Sequence, residues 1–264
     1  MFKRYIPSFH GPLCDSFGTP GVACRNRRNF CYSRLKKGLW MTFSIVAKCA
    51  NTGQFGLAIS SSSPAVAARC AFAKAGVGAV ATQNVTNPSL GPMVLHHFES
   101  GLTAPEAVKT SIADDSFPDF RQLLAIDKDG NTSIHSGENS LGIWTAIQGF
   151  YCAAGGNLLA NLGVPKALIE GFQNTTGSLG DRLIAAMQSG LDAGGEAGPL
   201  RSAGLLIVDT QDWPYAELRC DWTDDCPIMM ISKAWEVYKP QAKDYVTRAL
   251  NPTDAPSYGV PGDE

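Results

Sequence analysis

Strand and helix signals follow one another in groups along this chain, and their order constrains the fold more than any single motif does. Predicted strands cover residues 42–48, 55–60, 76–83, 123–127, 132–135, 146–153, 202–209 and 215–220. Predicted helices cover residues 63–75, 92–100, a segment that opens at 103, 165–173, 179–193 and 228–250. This grouping favours two sheets, each covered by helices, over a parallel sheet in which strands and helices alternate.

Short local motifs place several element ends independently of the hydrophobic pattern. Asn51-Thr52-Gly53 predicts a tight turn between the first two strands, and Asp129-Gly130 predicts a hairpin turn. Thr103 and Glu106 have the spacing of a capping box, which predicts a helix start. Pro240 is expected to interrupt the closing helix because proline has no backbone N–H to donate.

Charge divides the chain into two parts. Residues 1–40 carry eight basic side chains and one acidic side chain, a net charge of +7, whereas the remainder has a net charge of −9. The first part also lacks helical or strand periodicity. We therefore expect residues 1–40 to be a disordered basic extension and residues 41–264 to form a single domain.

Three explanations compete for the basic extension. An organellar presequence is rich in arginine and poor in acidic residues, as this segment is, but no clear amphipathic helix is present. A secretory signal would need an apolar core after the basic start, which is missing. The third explanation, which we favour, is that translation begins at Met41. The expected location is cytoplasmic, or organellar if the extension is a presequence.

Composition and motifs exclude several classes of function. The overall net charge of −2 disfavours nucleic acid as a partner, and the sequence lacks an uninterrupted apolar run long enough to span a membrane. Phosphate-binding glycine motifs, the Gly-x-Ser-x-Gly elbow, Cys-x-x-Cys and His-x-x-x-His are all missing. We expect no cofactor, no metal, and reduced interior cysteines.

The start of the first predicted strand carries the most specific chemistry. If Met41 initiates translation, it is expected to be removed because the next side chain, that of Thr42, is small. Thr42 would then carry a hydroxyl and a free α-amine on one residue. A threonine hydroxyl needs an adjacent base to accept its proton, and an α-amine titrates near pH 8, which suits that role. Without cleavage, Thr42 is an ordinary strand residue.

Seven segments of the chain together form a recognisable pattern: Met41 to Ala47, Gly56 to Ser61, Ala75 to Gln83, Asn87-Pro88 with Gly91, Gly101 to Ala107, Gly155-Gly156-Asn157 and Ala255 to Asp263. With these segments the chain resembles the DUF1028 family, which is assigned to the N-terminal-nucleophile (Ntn) hydrolase superfamily. The resemblance covers nearly all of residues 41–264 and none of 1–40. It implies a four-layer αββα sandwich, an enzyme that hydrolyses amide carbon–nitrogen bonds of a small-molecule substrate, and Thr42 as its nucleophile.

Further site residues are expected near Thr42. Asn84 or Asn157 is a candidate for stabilising the oxyanion of the reaction, although asparagine beside glycine also serves ordinary turns. Ser61 ends the strand expected to pair with that of Thr42, so its hydroxyl is a candidate for orienting the amine. Capping the next helix is the alternative role for this serine.

Substrate-binding candidates are Ser60, Ser62, Arg69, Arg201 and Ser202. An arginine can hold a substrate carboxylate through two parallel hydrogen bonds, and Arg201 lies directly before a strand with a buried pattern. A structural ion pair is the alternative for Arg201.

The leading hypothesis is an Ntn-type amidohydrolase, and two alternatives stay open. The first is a catalytically silent member of the same fold that serves as a binding or assembly subunit. The second is an enzyme that uses Cys49 or Ser61 as its nucleophile. The small-residue strands and the aromatic closing helix, with Trp235 and Tyr238, also make a homodimer an expectation.

Overall fold

A computed structural model describes residues 42–262, which contain ten strands and seven α-helices. The basic extension expected over residues 1–40 lies outside the described residues. The strands are β1 (Thr42–Lys48), β2 (Phe55–Ser61), β3 (Ala71–Lys74), β4 (Gly78–Asn84), β5 (Arg121–Asp127), β6 (Thr132–Ser136), β7 (Thr145–Gly149), β8 (Cys152–Asn157), β9 (Ser202–Val208) and β10 (Ala216–Cys220). The helices are α1 (Val66–Cys70), α2 (Leu90–Glu99), α3 (Ala104–Ala113), α4 (Val164–Asn174), α5 (Leu179–Asp192), α6 (Pro227–Tyr238) and α7 (Ala242–Leu250).

The strands form two antiparallel sheets. The larger has six strands in the order β10-β9-β2-β1-β8-β7, and the smaller has four in the order β3-β4-β5-β6. Strand β1 therefore lies in the interior of the larger sheet, paired with β2 on one side and β8 on the other. Its first residue, Thr42, lies opposite Ser61 of β2 and Asn157 of β8.

Three hydrophobic clusters hold these elements together. The first joins the larger sheet to α4, α5 and α6 through residues such as Phe43, Phe172 and Trp235. The second joins β1, β2, β8 and β9 to β4 and β5. The third joins the smaller sheet to α2 and α3. The architecture is mixed α/β with antiparallel sheets, and the predicted pair of sheets with covering helices agrees with it.

Local motifs marked element ends correctly. Thr103 and Glu106 form the predicted capping box at the start of α3. The closing helix is interrupted as predicted, because a 3₁₀ turn over Lys239–Gln241 separates α6 from α7. Within residues 42–262, no helix is both long enough and apolar enough to cross a bilayer.

Two sequence predictions of secondary structure were wrong. The strand predicted over residues 146–153 is a hairpin, in which β7 and β8 are joined at Phe150 and Tyr151, and Tyr151 has a positive φ of 54°. The helix predicted over residues 63–75 is only the short α1, and the chain then enters β3. In both places small or apolar residues satisfy either conformation, so strand pairing decides the outcome: β3 pairs with β4, and β8 pairs with β7 and β1.

Candidate functional site

Thr42 presents its side chain to the space between the two sheets. Side chains alternate along β1, and Phe43, Ile45 and Ala47 pack in the cluster under α4 to α6. Thr42 and Ser44 therefore project to the opposite face, toward the smaller sheet. A cavity of about 410 Å³ opens at this end of the sheets. Its lining residues are Thr42, Ser63, Pro64, Arg69, Cys70, Asn84, Val85, Thr86 and Leu141.

A chain of hydroxyl groups links Thr42 to a guanidinium group. Thr42 Oγ1 lies 3.3 Å from Ser61 Oγ, and Ser61 Oγ lies 2.8 Å from Ser63 Oγ. Arg69 Nη2 donates to Ser63 Oγ at 2.9 Å. The structure thus brings together three predicted site residues, Thr42, Ser61 and Arg69. Sequence reasoning did not propose Ser63, although its position two residues after Ser61 was the available signal.

A second polar network lies behind Thr42 and is fully buried. Ser44 Oγ donates to Gln83 Oε1 at 2.7 Å, and Gln83 Nε2 donates to Gln122 Oε1 at 2.8 Å. Asn157 Nδ2 donates to the same Gln122 oxygen at 3.3 Å. Within residues 42–262, Asn157 Oδ1 has no hydrogen-bond partner. Asn157 is therefore held beside Thr42 by a network that joins the two sheets.

Asn84 lines the cavity but uses its side chain to brace surrounding loops. Its backbone has a positive φ of 67°, a conformation that asparagine tolerates better than most residues. Its Nδ2 donates to the Phe120 carbonyl at 2.7 Å, and its Oδ1 accepts from the Leu141 N–H at 3.1 Å. These contacts position a wall of the cavity, and the oxyanion role of Asn84 stays a prediction.

Comparison with known proteins places the chain in a family. The model of the family of unknown function DUF1028 matches residues 42–230. This chain belongs to the DUF1028 family. The resemblance seen in the sequence motifs is confirmed at that level. The DUF1028 match begins at Thr42, the first residue of β1.

Solved structures also resemble this DUF1028 chain. The crystal structure of protein SPO2555 from Silicibacter pomeroyi, also of DUF1028, has 28% sequence identity and a TM-score of 0.72, covering 78% of this chain and 89% of that one. Anbu (ancestral beta-subunit) from Yersinia bercovieri has 15% identity and a TM-score of 0.34, covering 78% of this chain and 97% of its own. None of the curated proteins matches the sequence.

Three of the four remaining predicted binding residues of this DUF1028 domain, Ser60, Arg201 and Ser202, make structural contacts. Ser60 Oγ donates to the Ser202 carbonyl at 3.0 Å, and Ser202 Oγ donates to the Ser63 carbonyl at 2.6 Å. Arg201 Nη1 lies 2.6 Å from the carboxylate of Asp224, so Arg201 forms the structural ion pair that was its alternative. None of these three predicted residues is among the described residues that line the cavity.

Cys70 and Cys49 differ in their distance from Thr42. Cys70 lines the cavity, and burial raises the pKa of its thiol to about 11 despite the nearby Arg69. The thiol is therefore protonated at neutral pH and is a poor nucleophile. Cys49 lies just beyond the other end of β1, about 23 Å from Thr42 at roughly 3.3 Å per strand residue. No group of three or more metal-ligating side chains occurs within residues 42–262.

Sequence reasoning missed a buried acidic residue of this DUF1028 chain. Glu196 is 6% exposed, and its Oε2 accepts a hydrogen bond from the backbone N–H of Ser62 at 3.0 Å. Burial raises the pKa of its carboxyl well above the usual range, although the hydrogen bonds from Ser62 oppose that shift. Glu196 follows two glycines in a loop, a pattern that carries no signal for a functional acid.

Proposed function

We propose that this protein is an Ntn-type amidohydrolase whose nucleophile is Thr42, activated when removal of the preceding residues exposes its α-amine. One observation carries the proposal: Thr42 begins an interior strand, and its side chain lines a cavity whose described lining residues include no histidine, lysine or carboxylate. A hydroxyl nucleophile needs a base within hydrogen-bond reach. The α-amine of the same residue supplies one.

The proposed reaction proceeds through an acyl-enzyme. Thr42 Oγ1 attacks the amide carbonyl carbon, and its proton passes to the α-amine. The tetrahedral intermediate collapses, the carbon–nitrogen bond breaks, and the leaving nitrogen takes that proton. Water, deprotonated by the α-amine, then hydrolyses the ester and regenerates the hydroxyl. Asn157 is the favoured oxyanion-stabilising residue because it lies opposite Thr42, and the Ser61 hydroxyl orients the reacting group.

The cavity supports a small amide substrate that carries an anionic group. Its volume of about 410 Å³ lies in the range of small-molecule sites. Among the described lining residues Arg69 bears the only formal charge, and it has no acidic partner within residues 42–262. A guanidinium group in this setting favours a carboxylate on the substrate.

We also propose that the fold is the four-layer sandwich of the Ntn hydrolases. The three hydrophobic clusters order the elements as helices, larger sheet, smaller sheet and helices, which supports a four-layer αββα sandwich of the Ntn type. In such an arrangement, the first residue of an interior strand lies at one end of the two sheets, as Thr42 does here, and it lines the cavity there.

A substrate-independent experiment tests the proposal. We would determine the N-terminal residue of the purified protein by intact mass, then treat it with a β-lactone, which acylates nucleophilic hydroxyls. The expected result is a Thr42 start and one acyl adduct on Thr42. Thr42→Ala should abolish the adduct and the hydrolysis of carboxylate-bearing amides, whereas Thr52→Ala, in the exposed β1–β2 turn, should retain both. A Thr42 start without an adduct would instead support a catalytically silent binding subunit.

A further inference from the structure

Strand β1 starts between two neighbours that both continue beyond it. Thr42 pairs with Ser61 of β2 and Asn157 of β8. Past Thr42, β2 leads into Ser62, and β8 leads into Leu158 and Leu159. Neighbouring strands lie about 4.8 Å apart, so the chains on either side of β1 are separated by roughly 10 Å at this point.

The segment around Glu196 occupies the β8 side of that gap. Glu196 forms an antiparallel bridge with Leu159, and the Ala197 N–H donates to the Leu158 carbonyl at 3.1 Å. Strand β1 thus pairs with β8 up to Thr42, and beyond that point the Glu196 segment pairs with the chain that continues from β8. A methyl group added at neighbouring Gly195 would lie 3.6 Å from the ring of Phe43, so the segment lies against the side chain of the second residue of β1.

The side chain of Glu196 crosses the gap to the β2 side. Its backbone pairs beside β8, whereas its Oε2 accepts from the N–H of Ser62, which follows β2. Strand β1 lies between these two neighbours, so the Glu196 side chain spans the end of β1 at which the Thr42 nitrogen lies. The second oxygen, Oε1, is buried and has no hydrogen-bond partner within residues 42–262.

A buried carboxylate requires a compensating charge. Glu196 has no salt bridge with a Lys, Arg or His side chain of residues 42–262. Burial raises the pKa of Glu196 in this environment, which favours the neutral acid. An ammonium group at the start of β1 would reverse that preference.

We infer that Glu196 binds the α-amino group of processed Thr42 and positions it against the Thr42 hydroxyl. The inference rests on the proposed function, because only cleavage before Thr42 creates the amine. The carboxylate accepts a hydrogen bond from the amine, which directs the nitrogen lone pair toward Oγ1. It then stabilises the ammonium that forms when Oγ1 transfers its proton. Glu196 acts through the amine and does not touch the substrate, so it is a positioning residue.

The test measures the amine itself as well as its reactivity. The protein is produced from Met41, since all three hydrophobic clusters lie within residues 42–262, and loss of the initiating methionine is checked by mass. Competitive acetylation across a pH series, read by mass spectrometry of the N-terminal peptide, gives the pKa of the Thr42 α-amine. The variants are Glu196→Gln, the shorter acid Glu196→Asp, and Glu170→Gln on the exposed face of α4 as the matched control.

Loss of a neighbouring carboxylate lowers the pKa of an amine, so Glu196→Gln should lower that of Thr42 by at least about one unit. The acidic limb of the pH profile for β-lactone acylation should move down by the same amount, and the maximal rate should fall. Glu196→Asp should retain the wild-type amine pKa more closely than Glu196→Gln, and Glu170→Gln should match wild type. These readouts separate positioning from a purely structural role.

An unchanged amine pKa in folded Glu196→Gln would overturn the inference, even if acylation of Thr42 persisted and the proposed function stood. A shifted pKa without acylation of any variant would retain the Glu196 contact and reject the nucleophile. If Glu196→Gln fails to fold, Glu196→Asp decides, because an amine pKa indistinguishable from that of a threonine dipeptide in both wild type and Glu196→Asp would refute the contact.

Discussion

The carboxylate of Asp181 joins the start of α5 to the end of α6, and its removal should destabilise the protein measurably. Its Oδ2 accepts hydrogen bonds from the backbone N–H and the hydroxyl of Ser178, the residue that caps α5. Its Oδ1 accepts from Trp235 Nε1 at 2.9 Å and from Lys239 Nζ at 2.8 Å. A single carboxylate thus receives four hydrogen bonds from three residues.

The effect on stability follows from the pKa of Asp181. Burial alone raises this pKa, but the hydrogen bonds from Lys239, Trp235 and Ser178 outweigh burial and lower it from 3.8 to about 2. Each unit corresponds to about 1.4 kcal/mol, so the full shift corresponds to about 2.5 kcal/mol. Because Lys239 is partly exposed and solvent screens its charge, we expect the ionised carboxylate to contribute about 2 kcal/mol to the free energy of unfolding. Because the folded pKa is the lower one, this contribution is present above pH 4 and is lost as the pH falls toward 2.

Asp181→Asn should therefore lower the free energy of unfolding by about 2 kcal/mol at pH 7, measured by urea denaturation. The difference from wild type should narrow by roughly half at pH 3, because the unfolded state then binds the proton first. The control is Asp192→Asn at the exposed far end of the same helix, which should change stability by less than about 0.5 kcal/mol. Equal stability of Asp181→Asn and wild type at pH 7, or a gap independent of pH, would refute this reasoning.

Two further substitutions probe the surroundings of Thr42. Ser44→Ala removes the buried donor to Gln83 Oε1 and should cost about 1–3 kcal/mol in urea denaturation; a loss below about 0.5 kcal/mol would show that the network relaxes without cost. Gly156→Ala places a methyl group 2.8 Å from the Thr42 carbonyl oxygen and 2.5 Å from Leu159 Cδ2. It should lower the thermal midpoint and slow β-lactone acylation of Thr42, and an unchanged acylation rate would contradict the expected shift of β1.

The proximity of Thr42 and Ser61 was predictable because their two strands are adjacent in the sequence. A turn at Asn51-Thr52-Gly53 between two apolar runs sets the pairing of those runs, and the register that follows places Thr42 opposite Ser61. Side-chain alternation then puts the two hydroxyls on one face of the sheet. Their approach to 3.3 Å is a consequence of hairpin geometry and required no knowledge of the remaining chain.

The roles of Asn84 and Asn157 could not be predicted from the sequence, because they depend on residues that are distant in the chain. Asn84 and Asn157 each end a strand, so both are reasonable candidates beside Thr42. The side-chain amide of Asn84 forms hydrogen bonds with the backbone of Phe120 and Leu141, whereas Asn157 lies directly opposite Thr42. The pairing of β1 with β8 decides between them, and no local signal encodes that pairing.

Glu196 illustrates why the acid at this site required the fold. In the sequence it follows Gly194 and Gly195 and resembles a solvated loop residue, since glutamate is seldom fully buried. Its burial arises because β1 starts within the larger sheet while the chains beside it continue, which leaves a gap that the Glu196 segment fills. A carboxyl buried there without a side-chain cation of residues 42–262 is costly unless a positive charge arises beside it. Processing before Thr42 would create a positive charge at the start of β1, which is the charge that the proposed contact between Glu196 and the α-amine requires.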